Sequence, residues 1–384
     1  MHFLALLPFG IVAFFWVTYG LKVAYGAVRL PWLRNYPLAV DADCPKISVI
    51  FAARDEQTKL PGALATLVAI DYPNLEIIAV NDRSSDATPT ILDDFSAPHP
   101  QLKVVHIREL PEGWLGKPYA LQMGYEASTG ELVLFTDADV KFKRDSLRRV
   151  VTLLRERQLD HLSLLGDVER TGFWDTVFLS FFGMGFQLAT GPHNLSNPNS
   201  RSYAGVGAFQ ILRRSAYELC GTHRRLAMEV IDDMKLGKLV KMAKLRSGLA
   251  IAQDYVSVEW HLGLRNFVRG VEKNFFAGAQ FRIWVVAIQV LFLLGMNVLP
   301  FIGLVFGHGW IRALAAVSVL ISLCFHAGVD LVMRIPVLYC LTLPLGAAVT
   351  TYMILRSTVV TLRQGGVVWR DTFYPLEELR RGMV

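Results

Sequence analysis

Two aspartates one residue apart, Asp137 and Asp139, close the apolar run Glu131-Leu132-Val133-Leu134-Phe135-Thr136. A strand made from that run delivers both carboxylates at its carboxyl end, where open α/β sheets place their ligands. Alternate residues of an extended chain share a face, so Asp137 and Asp139 can hold one hard cation between them and a phosphate. The chemistry this implies is work on a nucleoside diphosphate. Two more apolar runs end in the same way. Residues 46–53 stop at Arg54-Asp55-Glu56, and residues 75–80 stop at Asn81-Asp82-Arg83-Ser84-Ser85-Asp86. One acidic strand end is ordinary, because carboxylates cap helix amino termini, and Asp86 fits that use. Three at one sheet edge make a site.

The elements that position these groups follow from the hydrophobic pattern. Residues 46–53, 75–80, 102–107, 132–135 and 161–165 read as buried strands, with helices over about 58–70, 86–95, 118–128 and 144–157. Regular alternation of strand and helix predicts a doubly wound, mostly parallel α/β sheet. No Gly-x-Gly-x-x-Gly follows the first strand, which argues against a dinucleotide cofactor. The four cysteines at 44, 220, 324 and 340 form no Cys-x-x-Cys and support neither a disulfide framework nor a zinc site. Metal chemistry therefore rests on carboxylates. A net charge of +6 comes from scattered basic residues with no aromatic-basic repeat, so the expected partner is an anionic membrane surface and not nucleic acid.

The chain is 53% hydrophobic, and the apolar residues collect at its two ends. Residues 3–19, extended by a flank to Tyr25, are long enough to cross about 30 Å of hydrocarbon. With no small-residue cleavage site before Arg29, and with Lys22, Arg29 and Arg34 following, this segment reads as an uncleaved signal anchor leading into the cytoplasm. Three further spans are expected at about 283–307, 310–333 and 336–358. Four spans from an outside start put the tail outside, whereas Arg363, Arg370, Arg380 and Arg381 argue for the inside. Asn297 and Pro300 mark a broken or re-entrant segment that would reconcile the two. The expected organisation is an anchor and linker over 1–43, a cytoplasmic catalytic domain over 44–282, membrane helices over 283–362 and a basic tail over 363–384.

Taken in order, the polar-domain motifs resemble the family 2 inverting glycosyltransferases of GT-A fold, over about residues 46–275. They are Phe51-Ala52-Ala53-Arg54-Asp55-Glu56, the Asn81–Asp86 turn, Gly116-Lys117-Pro118-Tyr119-Ala120-Leu121, Thr136-Asp137-Ala138-Asp139, Gly205-Val206-Gly207 and Ile231-Asp232-Asp233. The resemblance implies a donor site of Ala53, Arg54, Asp55, Glu56, Asp82, Lys117, Asp137 and Ala138. Within it Asp82 reads the base, Asp55 and Glu56 line the ribose pocket and Lys117 helps hold the nucleotide. It also implies that Asp137 and Asp139 bind the sugar-nucleotide, with uridine as the expected base, together with Mg²⁺ or Mn²⁺. Gly205 and Gly207 are expected at the acceptor.

Displacing a nucleoside diphosphate from an anomeric carbon calls for positive charge at the leaving phosphates and a base at the incoming hydroxyl. Asp233 is the expected base, with Asp232 as the fallback. Processive polysaccharide synthases carry Gln-x-x-Arg-Trp after the base, and this chain has none; it offers Arg265, Arg269 and Lys273 at helical spacing, suited to a diphosphate or to anionic lipid. Transfer of one sugar per acceptor is expected, rather than the polymer synthesis of a polysaccharide synthase or exporter. The stretch Phe173–Phe186 is too apolar for an ordinary surface helix and reads as an interfacial helix over 173–190, or alternatively as a core helix of the domain. It suggests a lipid acceptor: ceramide, hopanoid, carotenoid, diacylglycerol or polyprenyl phosphate. The layout, including the Val368–Tyr374 tail, most resembles the hopanoid-associated, ceramide and carotenoid glycosyltransferase branch, at a bacterial-type inner membrane.

Overall fold

In the computed structural model, residues 2–27, 30–259 and 263–384 are described; Arg29 of the anchor flank lies outside them. The chain divides into two compact units. One gathers Leu30–Glu169, Asn194–Trp260 and Trp369–Val384, and the other Met1–Arg29, Arg170–His193 and His261–Val368.

The first unit is α/β. In chain order its strands are β1 (Ile47–Ala53), β2 (Leu75–Asp82), β3 (Leu102–Ile107), β4 (Leu132–Asp137), β5 (Val140–Phe142), β6 (His161–Leu165), β7 (Asp167–Val168), β8 (Gln210–Arg213), β9 (Ser247–Ile251) and β10 (Val256–Val258). Seven of them make one sheet in the order β3-β2-β1-β4-β8-β6-β9, and β5, β10 and β7 make a small second one. Strands β1 to β4 run parallel, while β8 is antiparallel to both β4 and β6. The result is the mixed, mostly parallel sheet that the strand-helix alternation predicts.

Side chains of successive residues point to opposite faces of a strand, and both faces here are covered. Val49, Phe51, Ile77, Ala79 and Leu134 belong to one buried cluster; Ile50, Ile78, Val80, Val133 and Phe135 belong to the other. Burying each large side chain contributes roughly 1.5–3 kcal/mol, which explains why these strands are apolar on both sides. At the amino ends of the strands, Glu76 is 4% exposed. Its Oε1 accepts from Ser48 Oγ at 2.5 Å and from Thr129 N at 2.5 Å, and Lys46 Nζ lies 3.3 Å from Oε2.

The second unit is helical. Ile283–Phe306, Trp310–Val332 and Val337–Gln364 are long and apolar enough to cross a membrane. The first is interrupted: Ile283–Asn297 and Leu299–Phe306 are separate helices with Pro300 at the start of the second. The 26-residue helix His2–Ala27 is about 39 Å long at 1.5 Å per residue. Its Trp16 is fully buried among Phe181, Phe325 and Leu343, and its indole N–H donates to Met296 O at 3.0 Å. The helix Phe173–Thr190 belongs to this unit too, burying Phe181 and Met184 in the same cluster. Ser180 Oγ lies 2.6 Å from His326 Nε2.

Candidate active site

Strand register brings the acidic ends together. Ala53, the last residue of β1, pairs with Asn81 of β2, and Ala52 pairs with Asp137, the last residue of β4. The three motifs that follow these strands therefore open on one sheet edge, the carboxyl edge. Lys117, the second residue of the helix Gly116–Glu126, reaches the same place: its Nζ donates to Asp137 Oδ1 at 2.6 Å. Asp139 follows across the buried Ala138. Lys59 Nζ lies 3.5 Å from Asp139 Oδ2, 3.4 Å from Glu259 Oε1, and donates to Glu259 O at 2.7 Å.

These contacts set the charge states. Burial, then the neighbouring Asp137 charge, pushes the Asp139 carboxyl up to about 6 against the pull of Lys59. Burial alone would lower the Lys117 ammonium, but the charges of Asp137, Asp232 and Asp233 outweigh it and keep it protonated well above its ordinary range. The donors at Asp137 and Asp139 are hard oxygens suited to Mg²⁺ or Mn²⁺. Among the described residues no three His, Cys, Asp or Glu side chains form a closed cage, so phosphate oxygens and water would complete such a shell.

Asp232 and Asp233 open the helix Asp232–Met242. A helix amino terminus favours carboxylates and leaves backbone N–H groups to satisfy, and Asp233 uses both. Its Oδ1 accepts from Met234 N at 2.7 Å and its Oδ2 from Gly207 N at 3.0 Å. Gly207 stands between two carboxylates: a Cβ there would lie 2.9 Å from Asp137 Oδ2 and 3.2 Å from Asp233 Oδ2. Asp137 and Asp233 thus face one another across a backbone with no side chain. At Gly205 a Cβ would meet the Asp233 carbonyl at 1.8 Å, so that glycine is required by the crossing of loop and helix. Asp232 is 4% exposed and lies 4.0 Å from His223 Nε2. Burial, with help from Lys117, drives the His223 imidazole down to about 3, so it is neutral at pH 7.

Asp82 is 3% exposed and already engaged: Arg83 Nε donates to Oδ1 at 2.7 Å and Nη2 to Oδ2 at 3.3 Å, with Arg54 Nη1 4.0 Å away. Asp55, at φ +54°, uses Oδ1 to accept from Ser85 N at 2.7 Å, tying the first motif to the second. Glu56 accepts from Arg370 Nη2, and Arg370 Nη1 donates to Arg54 O at 2.5 Å.

One unit therefore contains Ala53, Arg54, Asp55, Glu56, Asp82, Lys117, Asp137, Ala138, Asp139, Gly205, Gly207, Asp232 and Asp233, whereas Arg265, Arg269 and Lys273 lie on the helix Leu264–Gly278 of the other. Sequence reasoning missed Lys59, Glu259, Arg370 and Tyr374. Lys59 and Glu259 lie outside every motif, while Arg370 and Tyr374 fall in the Val368–Tyr374 stretch, which the sequence marks for layout alone; tertiary folding brings them in, the Tyr374 hydroxyl accepting from Gly116 N at 3.3 Å. Arg83 lay inside a motif, where its neighbour Asp82 drew the assignment.

Residues 48–220 match the family model described as Glycosyl transferase family 2. The 4,4'-diaponeurosporenoate glycosyltransferase of Staphylococcus haemolyticus is 24% identical over 65% of this chain and 68% of its own length. The beta-monoglucosyldiacylglycerol synthase of Trichormus variabilis is 24% identical over 49% of this chain, and the match spans only 40% of that relative. The mannosyltransferase PcManGT of Pyrobaculum calidifontis, solved with GDP-Man and Mn²⁺, superposes with a TM-score of 0.54 at 18% identity, over 93% of this chain and 97% of that one. With the strand order, these similarities show that the chain carries a glycosyltransferase family 2 domain on a GT-A-type fold.

Proposed function

We propose that this chain transfers a single sugar from a nucleoside-diphosphate sugar to the hydroxyl of a membrane lipid, with inversion at the anomeric carbon. The observation that carries the reading is the meeting of Asp137 and Asp233 around Gly207, with Lys117 on Asp137, at the carboxyl edge of a parallel sheet. Inversion needs a leaving group on one face of the sugar and a base on the other, and this edge supplies a carboxylate for each.

A divalent cation held by Asp137 and Asp139 would act as a Lewis acid on the departing diphosphate. Lys117 brings a second positive charge to the same oxygens. Asp233 takes the proton of the acceptor hydroxyl, and two backbone N–H groups fix its carboxylate. The hydroxyl oxygen then forms its bond to the anomeric carbon as the bond to the diphosphate oxygen breaks.

Two relatives are named for lipid-like acceptors, and three helices of this chain are apolar enough for a bilayer. Both support a lipid acceptor reached at a membrane. The test is a reaction of detergent-purified protein with Mn²⁺, a lipid extract, and UDP-glucose, UDP-galactose, UDP-N-acetylglucosamine or GDP-mannose in turn. One donor is expected to yield a lipid carrying one hexose by mass spectrometry. A ladder of products, or equal transfer to a water-soluble sugar, would overturn the reading.

A further inference from the structure

The last described residues of the chain return to the α/β unit and touch the loops that carry its motifs. Arg370 and Asp371 form a turn with φ +48° and +63°, and Arg370 spans the first motif by bonding Arg54 O and the Glu56 carboxylate. Tyr374, 6% exposed, accepts at its hydroxyl from Gly116 N at 3.3 Å. That N–H is one of those left open at the start of the helix bearing Lys117. The same hydroxyl helps to hold Arg83, the residue whose guanidinium grips both oxygens of Asp82, in its charged form. The fit is close, since a Cβ at Gly116 would lie 2.4 Å from Asp82 Oδ2 and 2.9 Å from Arg83 Nη2. Farther on, Lys235 and Lys238 on the helix of Asp232 and Asp233 donate to Val384 O at 2.6 and 3.0 Å.

We infer that residues 370–384 are a working part of the donor site, and that Arg370 and Tyr374 are positioning residues for nucleotide binding. This rests on the donor reading above. The Arg54–Glu56, Asn81–Asp86 and Gly116–Leu121 motifs sit on separate segments; the first two are tied directly, Asp55 N donating to Ser84 Oγ at 3.1 Å, Glu56 N to Thr88 Oγ1 at 2.9 Å and Ser85 N to Asp55 Oδ1 at 2.7 Å. Arg370 braces the first from its far side, and the Tyr374 hydroxyl holds the Gly116 end of the Lys117 helix, which packs beside Asp82 and Arg83. Neither side chain is assigned a contact with the reacting atoms. Loosening them should therefore weaken nucleotide binding much more than it slows the chemical step.

The experiment uses the full chain in detergent, with Tyr374→Phe, Arg370→Ala and Arg370→Lys. UDP and GDP are titrated by calorimetry with Mn²⁺ present, alongside melting temperature and the split between donor KM and kcat. Tyr374→Phe removes only the hydroxyl, and Arg370→Ala removes the guanidinium bridge together with its aliphatic stem, which Arg370→Lys largely keeps. Each should raise the Kd and donor KM about tenfold while kcat stays within about twofold, and Arg370→Lys should recover part of the loss. Unchanged Kd and KM in both, or a fall confined to melting temperature and kcat, overturns the inference while leaving the donor reading standing. An unaltered chain that binds neither nucleotide removes the donor reading itself, and this inference with it.

Discussion

Replacing Asp233 by asparagine separates what its carboxylate does for the fold from what it does for the reaction. Both oxygens accept backbone N–H groups, from Gly207 at 3.0 Å and Met234 at 2.7 Å. Asparagine has one oxygen and one NH₂, so one of these N–H groups must face a donor. Losing a hydrogen bond to a charged acceptor costs about 1.5–3 kcal/mol. A domain stable by roughly 5–15 kcal/mol remains folded after that loss, so the effect belongs in the melting temperature and not in the active fraction. The missing base is larger: about 10² to 10⁴ in turnover, or roughly 3–5 kcal/mol. Turnover with a radiolabelled donor, nucleotide affinity by calorimetry and thermal melting, all on the same preparation, should show kcat down at least a hundredfold, Kd within about threefold and a melting point lower by a few degrees. Turnover within about threefold of the unaltered protein would refute the assignment and shift the base to Asp232, despite its burial against His223. Lost nucleotide affinity would instead place Asp233 in the donor site.

Gly207→Ala forces a Cβ to 2.9 Å from Asp137 and 3.2 Å from Asp233, so activity should fall at least tenfold with little change in melting temperature. Asp139→Ala, or excess chelator on the unaltered chain, should reduce turnover about a hundredfold or more while circular dichroism is unchanged. Glu76→Gln tests the far edge of the sheet. Burial opposes the Glu76 charge, but bonds from Ser48, Thr129 and Lys46 prevail and draw its carboxyl down to about 2 from an ordinary 4.5. A depressed carboxyl stabilises above its unfolded pKa, so about 3 kcal/mol is present at pH 7 and is lost as pH falls from about 4.5 to about 2. The variant should melt several degrees lower at pH 7, and its deficit should shrink over that acid window.

The α/β order was legible because its signals are local. Val49 to Phe51, Ile77 to Val80 and Leu132 to Phe135 are apolar on both faces, and only strands buried on both sides need that pattern. Three-residue β5 and β10 carry no periodicity to read, and β8 runs antiparallel for reasons of connection that no residue in Gln210–Arg213 declares. The acidic strand ends could be found because their spacing is short. Lys59 and Glu259 are 200 residues apart, and Arg370 lies 314 residues from Glu56, so only the folded chain reveals those pairs. The glycine at 205 had a reason invisible in sequence: the carbonyl of Asp233 fills the space beside it.

The return of the chain to the α/β unit at Trp369 has a topological consequence. A path that leaves a folded body and rejoins it closes a loop, and a closed loop pierces any sheet-like barrier an even number of times. Three apolar lengths lie between His261 and Val368, and three is odd. On the proposed membrane reading one of them would turn back within the bilayer, and Ile283–Phe306, interrupted at Val298 with Pro300 following, carries the break such a turn needs. Trp310–Val332 and Val337–Gln364 would then be the crossing pair. On the same reading the helix Phe173–Thr190, bracketed by Glu169 and Asn194 of one unit, would enter and leave a bilayer by the same face.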